Sequence, residues 1–179
     1  MNKIKDIIVF RYGHRIVRDY RVSSHCSLVS RALGASKIIV CGEEDKSMKE
    51  SVDDITERWG GPFEVIFTDN WKKELKKIKK ENYKLIHLTM YGEQINDIEN
   101  EIKNEEKICI IIGSQKVERE VYELCDYNVS VTSQPHSEIA ALAIILDRLQ
   151  DGKEIKKEFS NAKTKILPQK NGKKVIHLK

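Results

Sequence analysis

The sequence predicts an α/β fold, with a mostly parallel sheet and helices on both faces. Six short apolar or β-branched runs alternate with helical patterns, and this alternation is typical of a parallel sheet. The length of 179 residues and the hydrophobic content of 40% suit one domain with a sizeable core and an appendage. The predicted strands are 6–10, 37–40, 64–67, 83–88, 107–112 and 128–131. We therefore assign residues 1–150 to one α/β domain and residues 151–179 to a basic C-terminal extension.

Helical patterns fill the intervals between these strands. Ser23 or Ser24 is a suitable N-cap for a helix that runs to Leu33 and stops at Gly34. Shorter patterns before the later strands predict surface helices. The second helix is predicted by a one-sided apolar stripe of Met48, Val52, Ile55 and Trp59.

The last helix is predicted to be the most buried element. Residues 139–146 are apolar without interruption, and a helix that is apolar on every side must be buried all round. This run is far shorter than the roughly 20 residues needed to cross a bilayer, so we expect burial against the sheet, a partner subunit, or both. Residues 135–138 bring polar groups to its start. A bound ligand would satisfy them, and so would a self-capped helix with Glu138 in its first turn.

Basic residues are concentrated in two parts of the chain. Residues 151–179 hold nine lysines against three acidic residues, and five of the eight arginines fall between positions 11 and 31. Two basic zones beside a nearly neutral body indicate a polyanion such as nucleic acid as a partner. In the extension, Asn171-Gly172 between two half-apolar runs predicts a β-hairpin. This hairpin would cover the body or a partner subunit, or hold phosphates with its lysines.

Several classes of protein are excluded by what the sequence lacks. No apolar run approaches membrane length and the N-terminal residues lead directly into a strand, so we expect a soluble, cytoplasmic protein without a signal peptide. The four cysteines form no C-x-x-C pair, which disfavours a metal site. Neither G-x-G-x-x-G nor G-x-x-x-x-G-K-[ST] occurs. The chain therefore has no fingerprint for a dinucleotide pyrophosphate or a nucleoside triphosphate.

Polar, glycine-bearing turns follow three of the predicted strands, at residues 88–92, 112–116 and 131–136. Ligands of parallel sheets bind beyond the carboxyl ends of the strands, so these turns predict a pocket. A ligand with adenine and ribose but no phosphate would not need a phosphate-binding loop. S-adenosylmethionine meets that description.

A second polar segment, residues 11–35, holds five arginines together with His14, Asp19 and His25. It is too polar for a core segment and has the capping residues of an ordered one. Arg31 falls within the apolar periodicity of its helix, and a partly buried guanidinium needs an anionic or polar partner.

At these residues the sequence resembles the archaeal tRNA cytidine 56 2′-O-ribose methyltransferases of the SPOUT class. The resemblance rests on RYGHRIVRDYRVSSHCSLVSRALGA, HLTMYG, IIGSQKV and YNVSVTSQPHSEIAALAIILDRL, in the same order over essentially the whole chain. It implies a deep C-terminal trefoil knot, an obligate homodimer, and S-adenosylmethionine bound in the knot. It also implies methyl transfer to a ribose 2′-hydroxyl in the TΨC loop of tRNA.

The resemblance and the chemistry of methyl transfer together assign roles to individual positions. Arg31 falls where the wider ribose-methylating group keeps its catalytic arginine, and it would lower the pKa of the hydroxyl and grip the adjacent phosphate. His25 and His136 are the candidates for relaying the proton. The expected RNA contacts are Arg11, Arg15, Arg18, Arg21 and His25. The expected cofactor residues are Leu88, Gly113, Ser114, Gln115, Lys116, Val117, Val131, Thr132, Ser133, Gln134, Pro135, His136, Ser137 and Glu138.

Three positions depart from the family pattern, namely Ser133, Gln115 and Glu118, so side-chain contacts there differ while backbone contacts can persist. Two other functions remain open at this point. One is methylation of a base rather than a ribose on the same scaffold. The other is a non-catalytic RNA-binding module with an empty knot.

Overall fold

A computed structural model describes residues 2–114 and 116–178 of the chain. Its centre is a six-stranded sheet with the order β3-β2-β1-β5-β4-β6, in which every neighbouring pair is parallel. The strands are β1 (Asp6–His14), β2 (Lys37–Gly42), β3 (Glu64–Thr68), β4 (Lys84–Gln94), β5 (Lys107–Gly113) and β6 (Tyr127–Ser130). The six predicted strands and the parallel sheet are therefore confirmed.

Helices cover both faces of this sheet, as the alternating pattern predicted. One core cluster joins the sheet to α1, α2, α4 and α6, and a second joins its other face to α3 and α5. The helices are α1 (Ile16–Ala32), α2 (Lys46–Trp59), α3 (Trp71–Lys80), α4 (Ile95–Ile102), α5 (Arg119–Leu124) and α6 (Glu138–Gln150). The central strands β1 and β5 carry apolar side chains to both faces, which is why their sequences read as continuous hydrophobic runs.

The start of α1 differs from the prediction, because the helix begins at Ile16 and places Ser23 and Ser24 in its interior. The hydroxyl of Ser24 donates to the carbonyl of Tyr20 at 2.8 Å, four residues earlier. Ser27 and Ser30 bond back in the same way. Serines that bond inside a helix leave no signal to distinguish them from N-caps.

Within a single chain α6 is buried on one side only, so the predicted burial all round would need the partner subunit that the sequence left open. Leu142, Ile145 and Leu149 are buried in the core, whereas Ile144 is 44% exposed. The periodicity of an α-helix places Ile144 on the face opposite the sheet. An exposed apolar face of this kind remains available to a partner.

β4 and β6 approach each other unusually closely. Val129 of β6 pairs with both Leu88 and Glu93 of β4, so residues 89–92 bulge out between two paired segments. A Cβ atom built on Gly92 would lie 2.4 Å from the carbonyl oxygen of Asn128. Only glycine fits at this crossing.

The chain beyond α6 folds back along the domain. A short 3₁₀ helix (Lys153–Lys156) is followed by an antiparallel hairpin of β7 (Thr164–Ile166) and β8 (Val175–His177), which confirms the predicted hairpin. Ser160 bridges to Gly61, and the Lys163 amide donates to the Arg58 carbonyl. None of the helices in the described part of the chain is both long and apolar enough to span a membrane.

Candidate functional site

Two adjoining cavities open at the carboxyl edge of the sheet, where β5, β4 and β6 end side by side. The first has a volume of about 160 Å³ and the second about 330 Å³. They share a wall of Leu88, Thr89, Met90 and Gly113. The first is completed by Ile112, His136, Glu138 and Ala141, and the second by His87, Tyr91, Lys116, Val117 and Tyr122.

The structure brings six of the fourteen predicted cofactor residues into the walls of these cavities. These six are Leu88, Gly113, Lys116, Val117, His136 and Glu138. Ser114 follows Gly113 and donates its hydroxyl to the carbonyl of Gly13. Gln115 lies outside the described residues. The rest lie between β6 and α6: Val131, Thr132, Ser133, Gln134, Pro135 and Ser137.

The loop between β6 and α6 is ordered by its own hydrogen bonds. The amide of Gln134 donates to Thr132 Oγ1 at 3.2 Å, and the carbonyl of Gln134 lies 2.7 Å from His136 Nδ1. Ser137 Oγ accepts from the amide of Ile139 at 3.1 Å. The helix start is thus self-capped, and the exposed polar groups of the loop stay free to meet a ligand.

The residues around the cavities fit an uncharged adenosine group joined to a cationic chain. Leu88, Ile112 and Ala141 supply an apolar wall, and the carboxylate of Glu138 supplies a negative charge. Ser130 Oγ, at the end of β6, is buried and has no hydrogen-bond partner in the described chain. Within residues 2–114 and 116–178, no group of three or more His, Cys, Asp or Glu side chains could hold a metal ion. S-adenosylmethionine therefore fits the residues present.

Three of the predicted RNA-binding arginines lie beside this site on α1 and its N-cap. Arg15, Arg18 and Arg21 are exposed, as is His25. Arg18 donates to the backbone carbonyl of Ser114, which joins the start of α1 to the loop after β5. The structure thus places a basic surface against the edge of the cofactor loops.

Arg11 is not part of that basic surface, which corrects the expectation that it contacts RNA. Its side chain is fully buried. Arg11 Nε donates to Ser23 Oγ at 2.6 Å, and its terminal nitrogens lie 3.4 and 3.5 Å from Glu138 Oε1. A buried guanidinium needs such partners, and here one partner belongs to the cavity wall.

Arg31 also lies apart from the other predicted site residues. It stands in the last turn of α1, and the helical rise places it about 20 Å from the start of that helix. Its guanidinium donates to the carbonyl of Gly60 at 2.5 Å and lies 4.9 Å from the centre of the Phe159 ring. Within one chain Arg31 joins α1 to the extension at the amino edge of the sheet, away from the cavities, and its catalytic role stays a prediction.

A buried polar network extends inward from Arg11. Ser23 Oγ, which accepts from Arg11, also lies 2.7 Å from His14 Nδ1, and His14 Nε2 lies 4.0 Å from Asp45 Oδ2. Burial lowers the pKa of His14, and the charge of Arg11 lowers it further. His14 is therefore neutral at pH 7. Nδ1 of the neutral imidazole accepts from the Ser23 hydroxyl. The single ring hydrogen is therefore on Nε2, which faces Asp45.

The turn at residues 88–92 was predicted to line a pocket, but the assigned site residues omitted several that line the second cavity. Thr89, Met90, Tyr91 and Tyr122 line it, and Thr89 Oγ1 lies 3.1 Å from the Tyr122 hydroxyl. The first three belong to the HLTMYG motif, from which only Leu88 was assigned. Their place directly after Leu88 was the available signal. Tyr122 on α5 carried no such signal.

Comparison with known proteins identifies close relatives. A model of the family "tRNA ribose 2′-O-methyltransferase, aTrm56" matches residues 59–176. A tRNA (cytidine(56)-2′-O)-methyltransferase of Thermococcus kodakarensis is 53% identical over 97% of this chain and 98% of its own. Enzymes of the same name from Nitrosopumilus maritimus and Methanocaldococcus jannaschii are 54% and 51% identical, and each alignment covers at least 94% of both chains.

Solved structures of SpoU methyltransferases share the fold. The TrmH/SpoU tRNA modifying enzyme of A. aeolicus aligns with a TM-score of 0.62 at 20% identity, over 87% of this chain and 79% of that one. AviRb from Streptomyces viridochromogenes, in complex with the cofactor AdoMet, aligns with a TM-score of 0.59 at 17% identity, over 84% and 58%. The SPOUT-class α/β fold expected from the motifs is thereby confirmed. By sequence and by fold, the chain belongs to the tRNA ribose 2′-O-methyltransferase family aTrm56.

Proposed function

We propose that this protein transfers the methyl group of S-adenosylmethionine to the ribose 2′-hydroxyl of cytidine 56 in the TΨC loop of tRNA. The observation that carries the proposal is the joining of two features at one edge of the sheet. The cavities between the loops suit a phosphate-free adenosine cofactor, and Arg18 ties the basic start of α1 to one of those loops. The names of the relatives specify the same reaction. A tRNA substrate also supports a cytoplasmic location.

The cofactor is proposed to lie between Leu88, the loop after β5 and the loop from Val131 to Glu138. The apolar wall would hold its adenine, and the exposed backbone of the β6–α6 loop would bind its polar groups. When bound, S-adenosylmethionine supplies an electrophilic methyl group on a sulfonium. The protein's contribution is alignment of the attacking oxygen and exclusion of water.

The substrate is proposed to be held by Arg15, Arg18, Arg21 and His25. These side chains are exposed on one end of α1 beside the cofactor loops. Guanidinium groups bind phosphates bidentately, so they would fix the backbone that flanks the target ribose. His25 and His136 remain the candidates for accepting the hydroxyl proton.

We further propose the trefoil knot and the division at residue 150. The close crossing of residues 88–93 over β6, which leaves no space for a Cβ at Gly92, supports a chain threaded through that loop. Residues 151–179 would form the extension. Its exposed lysines, Lys170, Lys173 and Lys174, are available for phosphates.

A homodimer is the proposed assembly. Apolar side chains remain exposed where α1 begins and on the outer face of α6: Ile16 at 39%, Val17 at 100%, Tyr20 at 41% and Ile144 at 44%. α1 and α6 pack against each other on the same face of the sheet, so one partner subunit could cover these side chains. A two-fold contact would bury them.

The test uses two synthetic tRNAs that differ at one atom. The protein is incubated with labelled S-adenosylmethionine and either an unmodified tRNA or the same tRNA with 2′-deoxycytidine at position 56. We expect label only in the first tRNA, and a nucleoside digest should release it as 2′-O-methylcytidine. Label on a base, or equal labelling of the deoxy substrate, would contradict the proposal.

A further inference from the structure

Within the described chain, Glu138 is the only carboxylate in the wall of the first cavity, and Arg11 forms an ion pair with it. Arg11 stands on the central strand β1 and is fully buried, while the side chain of Glu138 is 30% exposed in the first turn of α6. The ion pair between Arg11 and Glu138 thus connects the sheet to the cavity. Their contact spans 127 residues of the sequence.

The guanidinium is fixed in place by more than this ion pair. Arg11 Nε donates to Ser23 Oγ at 2.6 Å, and Nη1 lies 3.7 Å from Cys26 Sγ. Since Ser23 accepts from Arg11, its own hydroxyl hydrogen is directed at His14 Nδ1, 2.7 Å away. The hydroxyl of Ser23 is thus used both as an acceptor and as a donor. Arg11 therefore has little rotational freedom and forms a rigid support.

Both terminal nitrogens of Arg11 approach the same oxygen of Glu138, Oε1, at 3.4 and 3.5 Å. The second oxygen, Oε2, bonds to nothing in residues 2–114 and 116–178. An arginine that served only to neutralise a buried carboxylate would normally bind both oxygens in a fork. The one-sided contact instead leaves Oε2 available to a ligand, and Glu138 lines the cavity together with Leu88 and Ala141.

We propose that Arg11 is a positioning residue for Glu138, and that the Glu138 carboxylate binds the cationic end of the methyl donor. This inference rests on the proposed function, because it takes S-adenosylmethionine as the ligand. The donor carries two positive groups, a sulfonium and an α-ammonium. A carboxylate in apolar surroundings attracts either one more strongly than it would in water.

The test compares three ligands by calorimetry on the full-length protein, without tRNA. S-adenosylmethionine carries both cations, S-adenosylhomocysteine carries only the ammonium, and 5′-methylthioadenosine carries neither. For Glu138→Gln we expect S-adenosylmethionine affinity to fall about tenfold, as for the loss of one charge-assisted contact worth about 1.4 kcal/mol. The affinity for 5′-methylthioadenosine should remain within about twofold.

The pattern of losses identifies the cation. An equal loss for S-adenosylmethionine and S-adenosylhomocysteine would support the ammonium, and a loss for S-adenosylmethionine alone would support the sulfonium. Unchanged affinity for S-adenosylmethionine, or an equal loss for all three ligands, would overturn the inference. Failure of the unmodified protein to bind S-adenosylmethionine would overturn the proposed function as well, so the two failures are distinguishable.

The positioning role of Arg11 is tested through its coupling to Glu138. Arg11→Lys keeps the charge but cannot reach Ser23 and Glu138 with the same geometry, and Ser23→Ala removes one anchor while it keeps the guanidinium. Each should weaken S-adenosylmethionine binding several-fold in the native background and not at all with Glu138→Gln present. Equal losses in both backgrounds would show that Arg11 acts on the fold alone. The second variant keeps the test valid if Arg11→Lys does not fold.

Discussion

Arg11 and Arg31 show that the position of a guanidinium, and not its presence in a motif, determines what it does. Both are buried, and they lie at opposite edges of the sheet. Arg11 faces the cofactor cavity through Glu138. Arg31 contacts the carbonyl of Gly60 and the ring of Phe159, so its contacts stabilise the fold.

Replacing Arg31 should therefore reduce stability rather than cofactor binding. Arg31→Met leaves the buried carbonyl of Gly60 without its donor, which we expect to cost about 1–3 kcal/mol of unfolding free energy. Denaturant unfolding measures this loss, with Arg119→Met on the exposed surface of α5 as the control. Unchanged stability together with abolished methyl transfer would instead restore the catalytic role expected from the sequence.

His14 should make folding sensitive to mild acid. Burial and the neighbouring charge of Arg11 lower its pKa from 6.5. Above pH 6.5 the imidazole is neutral in both states and its contribution to stability is complete. As the pH falls below 6.5, the unfolded chain binds a proton that the folded chain refuses, so stability decreases by up to about 1.4 kcal/mol per pH unit until the folded pKa is reached.

The measurement compares unfolding free energies between pH 7.5 and 5.5. His14→Gln should reduce the loss of unfolding free energy as the pH falls, and His177→Gln, at an exposed position, should leave that loss unchanged. Buried His87, whose pKa burial also lowers, adds to the decline in all three proteins. Identical slopes for the native protein and His14→Gln would show that His14 takes up its proton without unfolding.

At the scale of elements, α1 carries two functions at its two ends. Its first half presents exposed arginines beside the cofactor loops, and its last turn packs against the extension.

Replacement of Arg15, Arg18 or Arg21 by Gln should weaken tRNA binding and reduce its salt dependence. With each phosphate contact that is removed, fewer counterions are released when the tRNA binds. Filter binding at several salt concentrations measures the slope. Arg58→Gln, at the exposed end of α2 beside Gly60, should leave that slope unchanged, and equal slopes for all variants would argue against α1 as the RNA surface.

The crossing of β4 and β6 depends on Gly92. Gly92→Ala places a Cβ atom 2.4 Å from the carbonyl oxygen of Asn128, and backbone on both strands would have to move. We expect a loss of about 3 kcal/mol or more in unfolding free energy, since overpacking against backbone has little means of relief. Gly172→Ala, in the hairpin loop with no atom within 4 Å, is the control and should lose only about 1–2 kcal/mol from its left-handed backbone. Equal losses of unfolding free energy in the two variants would mean that the backbones of β4 and β6 can move apart at the crossing.

The strands of the sheet could be predicted from the sequence, whereas the start of α1 and the long-range contacts of the site could not. Apolar runs such as 107–112 are fixed by burial on both faces, so the strands were recognisable. The start of α1 was not, because Ser24 bonds back to the carbonyl of Tyr20 inside the helix and Ser23 bonds Arg11 on β1. The pairing of Arg11 with Glu138 joins residues 127 positions apart, and local pattern carries no information about such contacts.

At the scale of the whole molecule, the exposed side of α1 and α6 accounts for the uninterrupted apolar sequence of α6. The chain buries one face of that helix and leaves Ile144 exposed, where the sequence alone predicted burial all round. A second copy of the chain would complete the burial. In the proposed dimer, the apolar run would form an intermolecular contact as well as part of the core.

Charging this face should separate the subunits. Ile144→Asp would bury an unpaired carboxylate in the two-fold contact, so we expect a monomer by light scattering at concentrations where the native protein is a dimer. Asp147→Asn, one turn further along the exposed side of α6, is a matched control that should not weaken the dimer. A native protein that is monomeric, or an Ile144→Asp variant that stays dimeric, would contradict the proposed interface.

In the mechanism we propose, the loops after β4, β5 and β6 together hold a methyl donor that carries no phosphate. A crystal structure of the protein with S-adenosylmethionine tests it most directly. We expect the ligand between Leu88, Gly113 and the loop that leads to Glu138, with a cationic group near Glu138 Oε2. A ligand bound at the amino edge of the sheet beside Arg31, with those loops empty, would contradict the account.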